Sequence, residues 1–208
     1  GLGDVYKRQE RSVPEKTIAH LIKELPAFPE HLQLMYLILF CTGIRKSEVC
    51  TIKSGAFYSQ GNENWMRIYQ SKMRREKVIP VPSLLVGLVN DYEKKYGIKN
   101  GEYLFKNKKG GAFNGQTFSN QMIRECKARG IACGDYIFRA HDYRHNLATS
   151  MYGNGVSIQG VRDYLGHSSE NMTKQYIDFM PERIVSAEDK YFSKNQSFKL
   201  KGVEDDER

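Results

Sequence analysis

The sequence lacks the long apolar runs and leader signals of membrane and secreted proteins. No apolar stretch reaches about 18 residues, the length that a transmembrane helix needs. The first residues carry no basic–apolar–small secretory pattern. The apolar content of 40% is typical of a globular domain. We therefore expect a cytoplasmic protein without a membrane partner.

Residue patterns that bind metals or nucleotides are also missing. The four cysteines form no CxxC pair and have no His-rich spacing, so a zinc site is not expected and reduced, core-filling thiols are the default. Neither a Gly-rich phosphate loop nor a carboxylate cluster suited to magnesium is present. The sequence therefore predicts no metal and no cofactor.

Basic residues are in excess, with a net charge of +8 and a pI near 9.2. Such a balance is either ordinary surface solvation or the signature of a polyanion partner, most often nucleic acid. The basic residues cluster, which favours a polyanion partner. Some of them lie on one predicted helix, for which an ordinary solvated face is an equally good explanation. The candidate nucleic-acid contacts are Arg74, Arg75, Lys77, Lys106, Lys108, Lys109, Asn120 and Arg124.

Hydrophobic periodicity and turn signals predict a mostly α protein with one small antiparallel sheet of three strands. We expect a non-native or disordered leader over residues 1–12, one domain over 13–192 and a polar flexible tail over 193–208. Predicted helices span 14–25, 30–42, 45–50, 83–96, 114–129, 140–153, 157–165, 169–177 and 181–192, and predicted strands span 55–59, 65–70 and 76–81.

Two predicted helices carry arginines that are suited to binding phosphate. His141 and Arg144 are three residues apart, so both side chains lie on one helix face. Arg45 precedes Glu48 at the same spacing, and Glu48 could fix the guanidinium so that its planar fork points at an anion. Each pair taken alone is equally an ordinary helix-surface pair, which would contribute little.

The other candidates are a lysine, a histidine and a tyrosine. Lys72 lies in the basic turn between the last two predicted strands, where a solvated hairpin tip is the simpler interpretation. His167 and Tyr176 are nine residues apart, which on one continuous helix would place them on opposite sides. A predicted break at Gly166–Ser168 removes that objection. Tyr176 alone would be interpreted as a core residue.

The order of these residues resembles that of the tyrosine recombinases, the phage-integrase family. The chain contains TGIRKSE, SKMRREKVIP, HDYRH and LGH in succession, with Tyr176 nine residues after the last histidine. All six key positions match the family pattern, and the resemblance covers residues 13–192. It implies the family's catalytic-domain fold, with catalytic residues Arg45, Lys72, His141, Arg144, His167 and Tyr176.

The resemblance also implies a mechanism that requires neither a metal nor ATP. Tyr176 would attack the scissile phosphate and form a 3′-phosphotyrosine, while the two arginines grip the non-bridging oxygens. His141 would move the proton of the tyrosine, Lys72 would protonate the leaving 5′-oxygen, and His167 would donate a hydrogen bond to the phosphate. The implied role is integration or excision of a mobile element.

The implied partner is a double-stranded recombination site, bound by a homotetramer that forms from monomers on DNA. The N-terminal DNA-binding domain usual in the family is expected to be absent, since few residues precede Arg45. A type IB topoisomerase-like activity and a catalytically silent DNA-binding accessory protein remain as alternatives.

Overall fold

The computed structural model describes residues 13–70, 74–131 and 136–166. Predicted helices 169–177 and 181–192 and the tail lie outside these ranges. Within them, helices pack around one core and a three-stranded sheet lies at its side. The helices are α1 (Glu15–Glu24), α2 (Glu30–Thr42), α3 (Lys46–Cys50), α4 (Ser83–Tyr96), α5 (Gly115–Ala128), α6 (Ala140–Gly153) and α7 (Ile158–Gly166).

Helix α2 forms the centre of the fold. Its residues from Leu32 to Thr42 are all buried, because the helix is apolar on every face and is surrounded by α4, α5 and α6. It ends at Gly43, whose left-handed φ of 59° allows the chain to turn sharply. The next residues therefore begin α3 directly beside the end of α2.

The sheet consists of β1 (Phe57–Gln60), β2 (Glu63–Gln70) and β3 (Arg75–Pro80), paired antiparallel in that order. The first two strands are joined by a tight turn at Gly61, where φ is 62°. In β2 and β3, Met66, Ile68 and Ile79 face the core, as the two-residue alternation of strands requires.

Aromatic packing fixes α6 against α2. Tyr143 is fully buried, and its ring lies edge-on to Tyr36 of α2 at 5.2 Å between centroids. Phe138, just before α6, contacts Tyr143 at 5.5 Å and Phe118 of α5 at 5.8 Å. Tyr143 points into the core, whereas His141 is exposed and Arg144 is half-buried on another side of α6.

The structure confirms the predicted fold class and most predicted elements, with ends shifted by one or two residues. Strand β2 begins at Glu63 rather than at 65, and a 3₁₀ turn at Leu25–Ala27 lies where a loop was expected. None of the described helices combines the length and apolar character needed to cross a bilayer. Within the described ranges, no group of three or more His, Cys, Asp or Glu side chains is placed to hold a metal ion.

Candidate active site

Arg45 is held by both oxygens of one buried carboxylate. It is the extended residue that precedes α3, and its backbone N–H donates to Glu48 Oε2 at 2.8 Å. Its Nη1 donates to Glu48 Oε1, also at 2.8 Å. The Glu48 side chain is 3% exposed whereas that of Arg45 is 33% exposed, so the carboxylate orients the guanidinium from below. The sequence predicted this pair, and its burial makes it more constraining than a surface ion pair.

Arg144 is held by backbone carbonyls instead. Its Nη1 donates to Gly43 O at 2.9 Å and its Nη2 to Leu165 O at 2.6 Å. Burial, followed by the nearby charge of Arg45, lowers the pKa of Arg144. No carboxylate in the described part of the chain lies within ion-pair distance of it. The guanidinium is therefore fixed in place while its charge remains available to an anion.

The two arginines and His141 line one pocket of about 470 Å³. The wall on one side comes from the start of α3, and the wall on the other from the start of α6. Exposed His141 lies on the same helix face as Arg144, as the spacing predicted. The full lining is Ile44, Arg45, Lys46, Ser47, Ser119, Phe138, Arg139, Ala140, His141 and Arg144.

Two further cations in this lining were missed by the sequence reasoning. Lys46 donates to Ser119 Oγ of α5 at 3.3 Å, and Arg139 donates to Asp142 Oδ2 at 2.8 Å. Lys46 directly follows Arg45 and Arg139 is two residues before His141, and this proximity to recognised residues was the available signal. Four cationic side chains thus surround the pocket, which is an arrangement suited to a polyanion.

Three of the six predicted catalytic residues lie outside the described ranges: Lys72, His167 and Tyr176. Arg74, two residues after Lys72, is exposed, with a left-handed φ of 52° that non-glycine residues seldom adopt. Leu165, whose carbonyl binds Arg144, is two residues before His167. The described chain therefore comes within two residues of Lys72 on either side and reaches Gly166, the residue before His167.

The position of Lys77 differs from the expectation that it is a nucleic-acid contact on the surface. It was grouped with the solvent-facing basic residues, but it is 3% exposed and lies on the inner face of β3. Burial, and then the charge of Arg144, lowers the pKa of its ammonium to about 7. Its Nζ lies 5.2 Å from the centre of the Tyr164 ring of α7.

The remaining candidate nucleic-acid contacts are at least partly accessible. Asn107 Oδ1 accepts from the N–H groups of Lys109 and Gly111, which forms a tight turn that exposes Lys108 and Lys109. Lys106 pairs with Glu102 at 2.8 Å. The half-buried Arg75 begins β3, and Asn120 and Arg124 lie on the exposed face of α5.

A family model described as "Phage integrase family" matches residues 11–183. The chain belongs to the phage integrase family. Transposase B from transposon Tn554 of Staphylococcus aureus (strain Mu50 / ATCC 700699) is 29% identical over 196 residues. That alignment covers 91% of this chain but 31% of the transposase, so the chain spans about a third of that relative.

Solved structures of integrase-family proteins share the fold of this chain. The XerH site-specific recombinase bound to difH substrate, a pre-cleavage complex, aligns with a TM-score of 0.62 at 20% identity. The alignment covers 85% of this chain and 52% of that one. The lambda integrase tetramer bound to a Holliday junction aligns at 0.57 and 22% identity, covering 79% and 47%. The fold is that of a tyrosine recombinase catalytic domain.

Proposed function

We propose that this chain is the catalytic part of a site-specific DNA recombinase that cleaves and rejoins strands through a 3′-phosphotyrosine at Tyr176. The observation that carries the proposal is the convergence of Arg45, His141 and Arg144 on one pocket. Each guanidinium is fixed by a partner that leaves it charged, so neither must reorganise when a phosphate enters. Preorganised donors of this kind stabilise the charge that develops in the transition state.

The phenol oxygen of Tyr176 attacks the scissile phosphorus while the bond from phosphorus to the 5′-oxygen breaks. A phenol has an ordinary pKa near 10, so attack at neutral pH needs a proton acceptor, which is the role of His141. Lys72 gives a proton to the leaving 5′-oxygen, and His167 donates a hydrogen bond to the phosphate. Arg45 and Arg144 bind the non-bridging oxygens through planar hydrogen bonds.

The covalent bond to Tyr176 conserves the energy of the broken linkage. A 5′-hydroxyl from a partner strand can therefore attack the phosphotyrosine and reseal the DNA without a nucleotide or a metal ion. The substrate is double-stranded DNA, bound by a chain that is a monomer alone and a homotetramer on its recombination site. The similarity to a transposon-borne transposase supports integration or excision of a mobile element.

Covalent trapping tests the proposal. The protein is incubated with nicked duplexes of randomised sequence, which lose a short strand on cleavage and so accumulate the intermediate. Peptide mass spectrometry should then locate a nucleotide adduct on Tyr176, which is absent from Tyr176→Phe. The matched control is Tyr152→Phe, because Tyr152 is an exposed tyrosine outside the pocket lining and its loss should leave the adduct unchanged.

An adduct that persists in Tyr176→Phe would contradict the assignment of the nucleophile. No adduct in any form of the protein would favour the silent DNA-binding alternative. Relaxation of supercoiled DNA at a single site, without a partner duplex, would instead favour a type IB topoisomerase-like activity.

A further inference from the structure

Lys77 is a buried cation without a carboxylate partner in the described part of the chain. It lies on the inner face of β3, paired with Ile68 of β2 and two residues before Ile79, both of which are buried. Gln70, two residues after Ile68, is also buried on this inner face, and its Oε1 has no hydrogen-bond partner among the described residues. The end of this hairpin is therefore polar on its inner side, where an apolar residue would be more stable.

The groups that face Lys77 are mostly cationic. Arg144 of α6, Arg45 before α3 and Arg75 of its own strand oppose its charge, whereas Glu48 of α3 favours it. The ring of Tyr164 in α7 is its closest recorded aromatic contact, at 5.2 Å. Cations this close together repel one another, and an anion bound in the pocket offsets that repulsion.

A chain of contacts leads from Lys77 to the pocket. Tyr164 precedes Leu165, whose carbonyl accepts the 2.6 Å hydrogen bond from Arg144 Nη2. The other bond of that guanidinium goes to Gly43 O at the end of α2. The placement of the last turn of α7 thus helps to set the direction of the Arg144 fork, and the ammonium of Lys77 contacts that same turn.

We propose that Lys77 is a positioning residue, which secures the last turn of α7 behind Arg144 and supplies a further positive charge, beside those of Arg45 and Arg144, that a bound phosphodiester makes favourable. The identity of the anion rests on the proposed function, whereas the contacts to Tyr164 and the burial do not. Burial, and then the charge of Arg144, lower the pKa of Lys77 to about 7. An anion beside Arg45 and Arg144 opposes that shift, so binding takes up a proton.

Two opposite dependences on pH follow. Since the pKa of Lys77 is lower in the folded chain than its ordinary 10.5, the unfolded chain binds more protons between these values. The contribution of Lys77 to the unfolding free energy is therefore most unfavourable below pH 7 and improves as the pH rises toward 10. The affinity for DNA should instead fall as the pH rises, because DNA binding favours the charged form of Lys77.

The test measures how stability and DNA affinity depend on pH in the full chain. Four proteins are compared: wild type, Lys77→Met, Lys77→Arg and Lys94→Met. Lys94 is an exposed lysine of α4, so its replacement controls for the loss of one surface charge. Fluorescence anisotropy with a labelled duplex at low salt, from pH 6 to pH 9, reports affinity. Urea denaturation over the same range reports stability.

From pH 6 to pH 9, the affinity of wild type and of Lys94→Met for DNA should fall roughly tenfold more than that of Lys77→Met, which is a usual size for coupled equilibria. Lys77→Arg, charged throughout, should bind with little dependence on pH. At pH 6, Lys77→Met should be at least as stable as wild type yet bind DNA more weakly, which a residue with a merely structural role would not do.

Parallel affinity curves for wild type and Lys77→Met would overturn the proposal. If Lys77→Met fails to fold, NMR of the lysine side chains in the wild type replaces it. The Lys77 signal is the one that is missing from Lys77→Arg. It should titrate near pH 7, and its titration should move to higher pH when duplex is added. A pKa of Lys77 that duplex does not change would also overturn the proposal. If the trapping experiment gives no adduct on Tyr176 but both pH dependences are observed, only the proposed function is refuted.

Discussion

At the scale of single residues, the pocket depends on what each arginine does with its separate N–H groups. Arg144 uses two of them on the carbonyls of Gly43 and Leu165, which come from distant parts of the chain. A guanidinium has five donors in one plane, so several remain for a phosphate after this fixation. A lysine ammonium has three donors around one nitrogen and cannot reproduce the arrangement.

Replacing Arg144 with lysine should therefore lower the rate of strand cleavage even though the charge is retained. We expect a loss on the order of 10²–10³, the usual effect of removing one preorganised donor to the transition state. Arg45→Lys should fail for the same geometric reason. The measurement is single-turnover cleavage of the nicked duplex, with saturating protein so that weaker binding does not contribute.

Arg129→Lys is the matched control for Arg144→Lys. Arg129 also donates to a backbone carbonyl, that of Ala27 at 2.7 Å, but it is not part of the pocket lining. Its replacement should leave the cleavage rate close to wild type. Near-normal cleavage by Arg144→Lys, or an equal loss in both variants, would contradict the assignment of Arg144 to phosphate binding.

At the scale of elements, the end of α2 brings three parts of the fold together. Gly43 is in the left-handed region, its N–H closes α2 on Leu39 O at 2.9 Å, and its carbonyl receives Arg144. A Cβ at this position would lie 2.7 Å from Leu147 Cδ2 and 3.2 Å from Leu165 Cδ2. Gly43 therefore provides both a backbone conformation and a close approach of α6 and α7.

Gly43→Ala should destabilise the protein more than Gly97→Ala. Both glycines end a helix with φ of 59°, but a Cβ on Gly97 would meet nothing within 4 Å. The left-handed strain alone costs about 1–2 kcal/mol of unfolding free energy. Overpacking against Leu147 and Leu165 should add about 1–3 kcal/mol at Gly43.

Urea denaturation of the two variants measures this difference directly. Equal losses would show that the core accommodates the extra methyl group and that Gly43 is required for its conformation alone. A larger loss at Gly43, together with slower cleavage, would link the packing of this corner to the placement of Arg144.

Elements were predictable where a local signal marks them. Asn114 accepts from the N–H groups of Gln116 and Thr117 at the start of α5, and glycines end α2 and α4. Lys77 was misplaced because its basic neighbours suggested a surface turn. The alternation that buries Ile79 also turns Lys77 inward and leaves Val78 39% exposed, against the order of hydrophobicity.

The candidate site was predictable only in part, for a related reason. The pairs Arg45–Glu48 and His141–Arg144 are three residues apart, so helix geometry alone places each pair together. The bond from Arg144 to Gly43 joins residues 101 positions apart, and the contact of Lys77 with Tyr164 joins two separate elements. No local periodicity encodes such contacts, because they arise only when the helices and the sheet pack.

At the scale of the whole molecule, positive charge extends beyond the pocket. The chain carries a net charge of +8, and the tight turn that begins at Asn107 exposes Lys108 and Lys109. Lysines of this kind contact phosphates without reading the bases, so they contribute equally on every DNA sequence. We expect duplex binding by this chain to be weak and strongly dependent on salt.

The salt dependence should locate the phosphate contacts. The logarithm of the binding constant falls linearly with the logarithm of salt concentration, and each lost phosphate contact lowers the slope by about one. Lys108→Gln combined with Lys109→Gln should therefore reduce the slope by up to about two, measured by anisotropy on an unspecific duplex. The cause is the loss of counterion release at those phosphates.

The control removes the same charge from another surface. Lys94 and Lys99 are exposed at and just beyond the end of α4, and replacing both with glutamine lowers the net charge equally. If the tight turn contacts DNA, the slope should change only in the Lys108/Lys109 variant. An equal reduction in both would mean that the overall field of the molecule, rather than this turn, governs binding, and nanomolar sequence-specific affinity at physiological salt would contradict the expectation of weak, phosphate-dominated binding.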